Sequence, residues 1–237
     1  MQIENIPLLI FDCDGVLVDS EPLSIAVLIE MLTHLGVNIS EEDAYDRFLG
    51  RSVTSMISTL WNDYGVETDI DFLDHMRSLL YERFRTDLKP VTGVGQAIDS
   101  LQCRRCVASS SQPERIRFSL GLTGLLDKLE PHIFSATMVK NGKPAPDLFL
   151  YAADTMQANP ADCIVVEDSP AGIIAAKSAG MTVLAFTGAS HARFPAFRQK
   201  IELLQPHAVF DDMDDLVHLV DQFTKSGHAT SERPMRS

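Results

Sequence analysis

Two aspartates one residue apart, Asp12 and Asp14, end the apolar run Leu8-Leu9-Ile10-Phe11, and Gly15 follows them. A run this short and apolar predicts a buried strand, and a glycine behind it lets the backbone turn sharply. In an open α/β sheet the carboxyl ends of parallel strands form the crevice where ligands bind, so charges at such an end are candidates for chemistry. Two anionic groups so close repel unless a cation shares them, and a hard divalent ion such as Mg²⁺ prefers carboxylate oxygen. Alone, Asp-x-Asp reads more often as a solvated loop. Three further features align with it. Glu167-Asp168 follows Ile164-Val165-Val166, a second acidic pair at a second strand end. Ser109-Ser110-Ser111 ends another strand and precedes a helix start, where hydroxyls and amides can cradle phosphate oxygens. Lys143 stands in Gly142-Lys143-Pro144-Ala145-Pro146, among prolines that reduce the freedom its ammonium would lose on being fixed. Taken singly, the serines are ordinary turn residues and the lysine an ordinary surface residue. Taken together, carboxylates from two strands can converge on one cation while a hydroxyl and an ammonium hold an anion beside it.

The elements that must position these residues follow from the hydrophobic pattern. Ser20 is expected to cap a helix with Pro22 in its first turn, apolar over Leu23 to Leu35 and stopped by Gly36. Ser40 and Asp43 have capping-box spacing for a short helix to Leu49, and Gly50-Arg51-Ser52 breaks the chain. Val53 to Tyr64 and Asp71 to Arg85 read as two more helices. The pattern then switches to alternation: helix 95–101, strand 106–109, helix 113–122, strand 133–135, helix 147–156, strand 163–166, helix 171–179, strands 182–186 and 208–210, and a closing helix 213–223. This predicts an α/β protein, a doubly wound parallel sheet with a small all-helical bundle inserted after its first strand. The expected division is a core of residues 1–19 and 88–225, a helical insertion over 20–87, and a disordered tail over 226–237.

Composition excludes other classes. With 237 residues and 45% hydrophobic content the chain can bury a sizeable core. Its formal net charge of -13 argues against a nucleic-acid partner, which requires a concentrated basic face, so an anionic ligand must find local positive charge. The first apolar run is interrupted by Asp12 long before it could span a bilayer, and no basic segment precedes it, so a cytoplasmic protein without membrane contact is expected. The four cysteines fall in or beside strands, as reduced thiols do. Cys103 and Cys106 have redox-motif spacing, but Cys106 starts a strand instead of opening a helix. Nothing in the composition argues for more than a monomer or a weak homodimer.

Asp12-Cys13-Asp14-Gly15, Ser109, Lys143 and Glu167-Asp168, in that order with helices inserted after the first motif, resemble the four motifs of the haloacid dehalogenase superfamily. The resemblance spans Ile6 to Asp221 and is greatest to the β-phosphoglucomutase-like and sugar-phosphate phosphatase branch. It implies a Rossmann-like core with the inserted helices 20–87 as an all-α cap, and a Mg²⁺-dependent phosphatase acting on a small phosphorylated metabolite. Asp12 would be the nucleophile that becomes an aspartyl-phosphate. Asp14 would be the general acid and base, helped to hold a proton by partial burial and neighbouring charge. Ser109, Ser110 and Lys143 would bind the phosphoryl group, and Asp12, the Asp14 carbonyl, Asp168 and Glu167 would form the metal shell.

Departures from the family pattern narrow the reaction. Dehalogenases of the superfamily lack the second aspartate, and phosphonate hydrolases use a cap lysine, whereas no lysine occurs from Met1 to Leu88. In β-phosphoglucomutases a histidine, a lysine and an arginine of the cap engage the sugar, and here those positions fall at Ser24, Leu49 and near Val53. A hexose-phosphate mutase is therefore the second reading. Arg47 and Arg51 flank the same loop, and one of them is expected to recognise hydroxyls or a carboxylate, because a guanidinium is a planar bidentate donor. A phospho-receiver domain would place adjacent acids at its first strand and its acceptor on another, and a non-catalytic binding protein would have no need of the full set of catalytic residue types.

Overall fold

The structure is a computed structural model that describes residues 7–49 and 53–228. In chain order the elements are β1 (Leu8–Phe11), α1 (Glu21–His34), α2 (Glu41–Phe48), α3 (Val53–Tyr64), α4 (Ile70–Asp87), α5 (Val94–Ser100), β2 (Arg104–Ser109), α6 (Pro113–Leu122), α7 (Leu126–Leu129), β3 (Ile133–Ser135), α8 (Asp147–Thr155), β4 (Cys163–Glu167), α9 (Pro170–Ser178), β5 (Thr182–Phe186), α10 (Pro195–Leu203), β6 (Ala208–Phe210) and α11 (Leu216–His228). The six strands pair in the order β3-β2-β1-β4-β5-β6, every pairing parallel. The chain winds outward from β1 in one direction and then returns to add β4 on the other side. The switch point therefore lies between β1 and β4, where a crevice opens at the carboxyl ends.

Alternation along the strands sorts side chains onto two cores. Leu9 and Phe11 join Val107, Ile164 and Val166 under α5, α6 and α11. Leu8 and Ile10 join Cys106, Ala108 and Val165 under α8 and α9. Both faces are covered, so β1 and β4 are buried along their whole length and read as continuous apolar runs. The four helices between β1 and α5 have a core of their own, in which Ile25, Leu28 and Leu32 of α1 meet Tyr45, Phe48 and Leu60. A second seam joins Val27 and Met31 of α1 to Leu80 and Phe84 of α4.

Several local expectations are corrected. Ser20 does not cap α1, since its backbone is already helical and its hydroxyl donates to the Asp14 carboxylate at 2.6 Å. Ser40 does accept from the Asp43 amide, and Ser169 from the Gly172 amide, as capping residues should. The sequence reading passed over α7 and α10. In α10 only Ile201 is buried, so the helix carries little apolar periodicity. The last helix runs to His228, past the expected start of the tail, and residues 229–237 lie outside the described residues, as does Arg51. All four cysteines are free thiols. Among the described residues no helix is long and apolar enough to cross a membrane.

Candidate active site

Asp12 directly follows β1, and its amide donates to the Val166 carbonyl of β4 at 3.0 Å, so the ladder between the two strands fixes its backbone. Ser109 and Glu167 are the last residues of β2 and β4, the two neighbours of β1. Three residues far apart in sequence are thus adjacent because their strands are. Lys143 comes from the segment between β3 and α8 and is 3% exposed. Its ammonium donates to Asp12 Oδ1 at 2.5 Å, Glu167 Oε1 at 2.6 Å and the Ala108 carbonyl at 3.0 Å, and lies 4.9 Å from the centre of the Phe149 ring. All three N–H groups are satisfied. Burial opposes the charge on Lys143, but Asp12 and Glu167 outweigh it and hold the lysine above its ordinary pKa.

Both Glu167 oxygens, expected in or near the metal shell, are engaged by hydrogen bonds within the protein. One oxygen takes Lys143, and the other accepts from the Asp168 amide at 2.9 Å, the Ser169 amide at 2.8 Å and the Ser169 hydroxyl at 2.9 Å. Its carboxylate lies over the first turn of α9, where a Cβ on Gly172 would come within 1.7 Å of it. Gly15, with φ of +81°, makes the matching space for Asp168, whose Oδ2 would be 1.9 Å from a Cβ there. Two glycines therefore let two acids approach the loops that flank them.

Three buried acids, Asp12, Glu167 and Asp168, surround one lysine. Burial first, with neighbouring carboxylates adding to it, pushes Asp12 and Asp168 well above the usual carboxylate range, and Lys143 only partly offsets this. Among the described residues no three His, Cys, Asp or Glu side chains form a ready-made metal cage. Asp12 and Asp168 remain as two hard oxygen donors whose repulsion a single ammonium does not cancel, a donor set that fits a hard divalent cation.

Asp14 departs from expectation. Instead of an environment that keeps it protonated, it sits among donors: Ser20 Oγ at 2.6 Å and Arg115 Nη2 at 2.9 Å on Oδ1, and Ser111 Oγ at 2.6 Å on Oδ2. Burial works against its charge, but Arg115 and the two hydroxyls prevail and hold Asp14 below the usual carboxylate range. Ser109 is buried, and its hydroxyl accepts from the Ser111 amide at 3.1 Å, whereas Ser110 is exposed at the turn. Ser24 is on α1, 3.5 Å from Arg115 Nη2. Arg47 is not brought to the strand ends. It is 44% exposed, pairs with Asp63 at 2.8 Å and lies over the Tyr64 ring.

Three residues at the site, Arg115, Glu21 and His191, were not singled out from sequence, and Ser111 of the serine run serves Asp14. Arg115 and Ser111 hold Asp14. Glu21, beside Ser20, is partly buried, and burial, then the charges of Asp14 and Asp168, push its pKa up to about 7, against partial relief from His191 and Arg115. His191 is fully buried in the 3₁₀ turn Ser190–Arg193, with Nε2 3.0 Å from Asp168 Oδ2. A serine run before a helix and a glutamate next to a capping-type serine were visible signals, but His191 stands in a stretch without periodicity.

Two predictions follow from the packing and charge. Gly172→Ala gains helix propensity of about 0.5–1 kcal/mol, yet forces its methyl into Glu167. The overpacking cost of about 1–3 kcal/mol should win, so urea unfolding is expected to show net destabilisation. Folded Glu21, at about 7 against an ordinary 4.5, binds its proton more tightly than the unfolded chain does. In protein treated with EDTA, wild-type stability should therefore decline as pH rises through that window relative to Glu21→Gln, and a constant offset between the two melting curves would contradict it.

Comparison with known proteins agrees with this geometry. The family model described as haloacid dehalogenase-like hydrolase matches residues 9–186. A 6-phosphogluconate phosphatase of Escherichia coli (strain K12) is 30% identical over 182 residues, covering 76% of this chain and 82% of that protein. A β-phosphoglucomutase of Bacillus subtilis (strain 168) is 30% identical over 185 residues, covering 73% and 79%. The crystal structure of a conserved haloacid dehalogenase-like protein of unknown function from Agrobacterium tumefaciens superposes with a TM-score of 0.81 at 36% identity, over 92% of this chain and 98% of that one. With the matched model covering both acidic strand ends, the serine turn and the lysine between them, the chain belongs to the haloacid dehalogenase-like hydrolase family.

Proposed function

We propose that the protein is a phosphatase that hydrolyses a small phosphomonoester, a sugar phosphate or sugar-acid phosphate, through an aspartyl-phosphate on Asp12. The observation that carries this reading is the buried contact of Asp12 with Lys143 beside Ser109 at three adjoining strand ends. A carboxylate is a weak nucleophile toward an anionic phosphoryl group, and cations must bring the two together. Lys143 supplies one positive charge, and the Ser109 hydroxyl and the amides of the following turn supply donors to the phosphoryl oxygens. Mg²⁺ would be held by Asp12, Asp168 and the Asp14 main-chain carbonyl, and would neutralise charge on the phosphoryl group as it is transferred.

In the first step an Asp12 oxygen forms the bond to phosphorus while the ester bond to the leaving oxygen breaks, and Asp14 gives that oxygen its proton. In the second, Asp14 takes a proton from water as the water oxygen bonds to phosphorus. The acyl-phosphate bond then breaks, releasing inorganic phosphate and restoring Asp12. Since Arg115 and Ser20 hold Asp14 as an anion in the free enzyme, Asp14 must give up one of these donors and take up a proton from solvent as substrate arrives before it can act as the acid. Helices α1 to α4 act as the cap, excluding bulk water from the intermediate.

The mutase reading is less favoured, because Ser24 offers no imidazole where the mutases of this branch place a histidine. Phosphate release from sugar, sugar-acid and two-carbon acid phosphates with Mg²⁺, with and without a bisphosphate activator, distinguishes the two. Release without the activator is expected, and Asp12→Asn should lower it by at least about 10⁴-fold with the circular dichroism spectrum kept. Isomerised product that depends on the bisphosphate would replace this reading with the mutase. Turnover that survives Asp12→Asn would remove the nucleophile.

A further inference from the structure

Arg115 lies at the point where the leaving group of such an ester must leave the phosphoryl site. Its Nη2 donates to Asp14 at 2.9 Å, and Asp14 is the side chain placed to touch the leaving oxygen. The guanidinium belongs to α6 but faces the inserted helices, with Ser24 of α1 at 3.5 Å and the Phe84 ring of α4 5.4 Å below it. Its side chain is 24% exposed.

One edge of the guanidinium is only half used. Nε and Nη2 together form the side-on pair of donors that matches the two oxygens of a carboxylate. Nη2 is taken by Asp14, while Nε is buried with no hydrogen-bond partner. A buried donor without an acceptor is costly, and an incoming acceptor relieves that cost. Among the described residues, Lys143 has all three N–H groups committed and so offers no substitute at the strand ends. In a chain of net charge -13, with Asp14 and Glu21 both facing Arg115, the guanidinium is the positive charge placed to receive an anionic substituent there.

We propose that Arg115 recognises a carboxylate on the leaving group, so that the preferred substrates are phosphate esters of hydroxy acids. This rests on the phosphatase reading above and narrows its substrate. The substrate carboxylate takes the Nε–Nη2 edge, and Arg115 shifts its hydrogen bond from Asp14 to the substrate. That shift frees Asp14 Oδ1 to face the leaving oxygen. An ester with no carboxylate leaves Arg115 on Asp14. Because Arg115 is bonded to the acid–base residue itself, the carboxylate must lie a short chain away from the phosphorylated oxygen.

The test compares kcat/KM for acid and neutral esters matched in carbon skeleton, 3-phosphoglycerate against glycerol 3-phosphate and 6-phosphogluconate against glucose 6-phosphate, in wild type, Arg115→Gln and Arg115→Lys. Any effect of Arg115 that does not depend on a substrate carboxylate, such as a general loss of Asp14 placement, is common to both members of a pair and cancels in their ratio. Wild type should favour the acid in the three-carbon pair, with a smaller preference in the six-carbon pair, and Arg115→Gln should reduce the three-carbon preference about 10- to 100-fold. Arg115→Lys, which keeps the charge and loses the fork, should fall between them and serves alone if the glutamine variant does not fold. A wild type that hydrolyses these esters without acid preference, or a preference unchanged by substitution, overturns the role of Arg115 and leaves the phosphatase reading intact. Failure to hydrolyse any of the four esters would count against the phosphatase reading and this inference together.

Discussion

An ammonium buried between two carboxylates sets the terms for the rest of this molecule. Isolating Lys143 from water is costly unless each of its donors finds an acceptor, and Asp12, Glu167 and the Ala108 carbonyl provide three. Those acceptors come from the ends of β1, β4 and β2, so the contact is met only when the three strands are in register. The same contact fixes one oxygen of Asp12 and one of Glu167 on the ammonium. Electrostatics and topology thus constrain each other. The charge left uncompensated on Asp12 and Asp168 is a donor set that suits a hard cation, and the strand order sets the two acids side by side.

The surrounding chain serves this arrangement through small permissions and not through large features. Gly15 and Gly172 leave room for carboxylates that any side chain would displace. Ser135, at the end of β3, donates to the Ser111 carbonyl at 2.7 Å and holds the serine turn in place. Asp19, just before α1, accepts from the Ser190 amide at 3.3 Å and from the Ser190 hydroxyl, tying the start of the inserted helices to the loop that carries His191. Arg115 and Phe84 meet across the seam between core and insertion. Side chains of both parts therefore meet beside the strand ends.

Much of this was legible in sequence, for identifiable reasons. Strands β1 and β4 are buried on both faces and so read as unbroken apolar runs ending in acids, and α3, α6, β3, β5 and β6 have the bounds that the pattern predicts. Lys143 and Glu167 could be named because each stands at a punctuated boundary. What sequence could not give was the direction of polar side chains. Ser20 reads as a cap and instead donates to Asp14, and Asp14 reads as a proton holder and instead sits among three donors. Arg47 reads as a substrate contact by its place beside the loop, yet Asp63, sixteen residues on, takes it. Arg115 was hidden in an ordinary amphipathic helix, because its partner is 101 residues away. Pairings of that length are set by tertiary packing, which local periodicity does not encode.

The central claim is that Lys143 and the acids around it form one coupled unit. A double-mutant cycle of Lys143→Met and Glu167→Gln, read by urea unfolding without divalent metal, tests it most directly. Lys143→Met should cost about 3–5 kcal/mol by leaving buried carboxylates unpaired, Glu167→Gln should cost less because Asp12 still pairs with the ammonium, and the double variant should cost less than their sum by at least about 1 kcal/mol. Additivity within about 0.5 kcal/mol would show the two residues acting independently and would contradict the account.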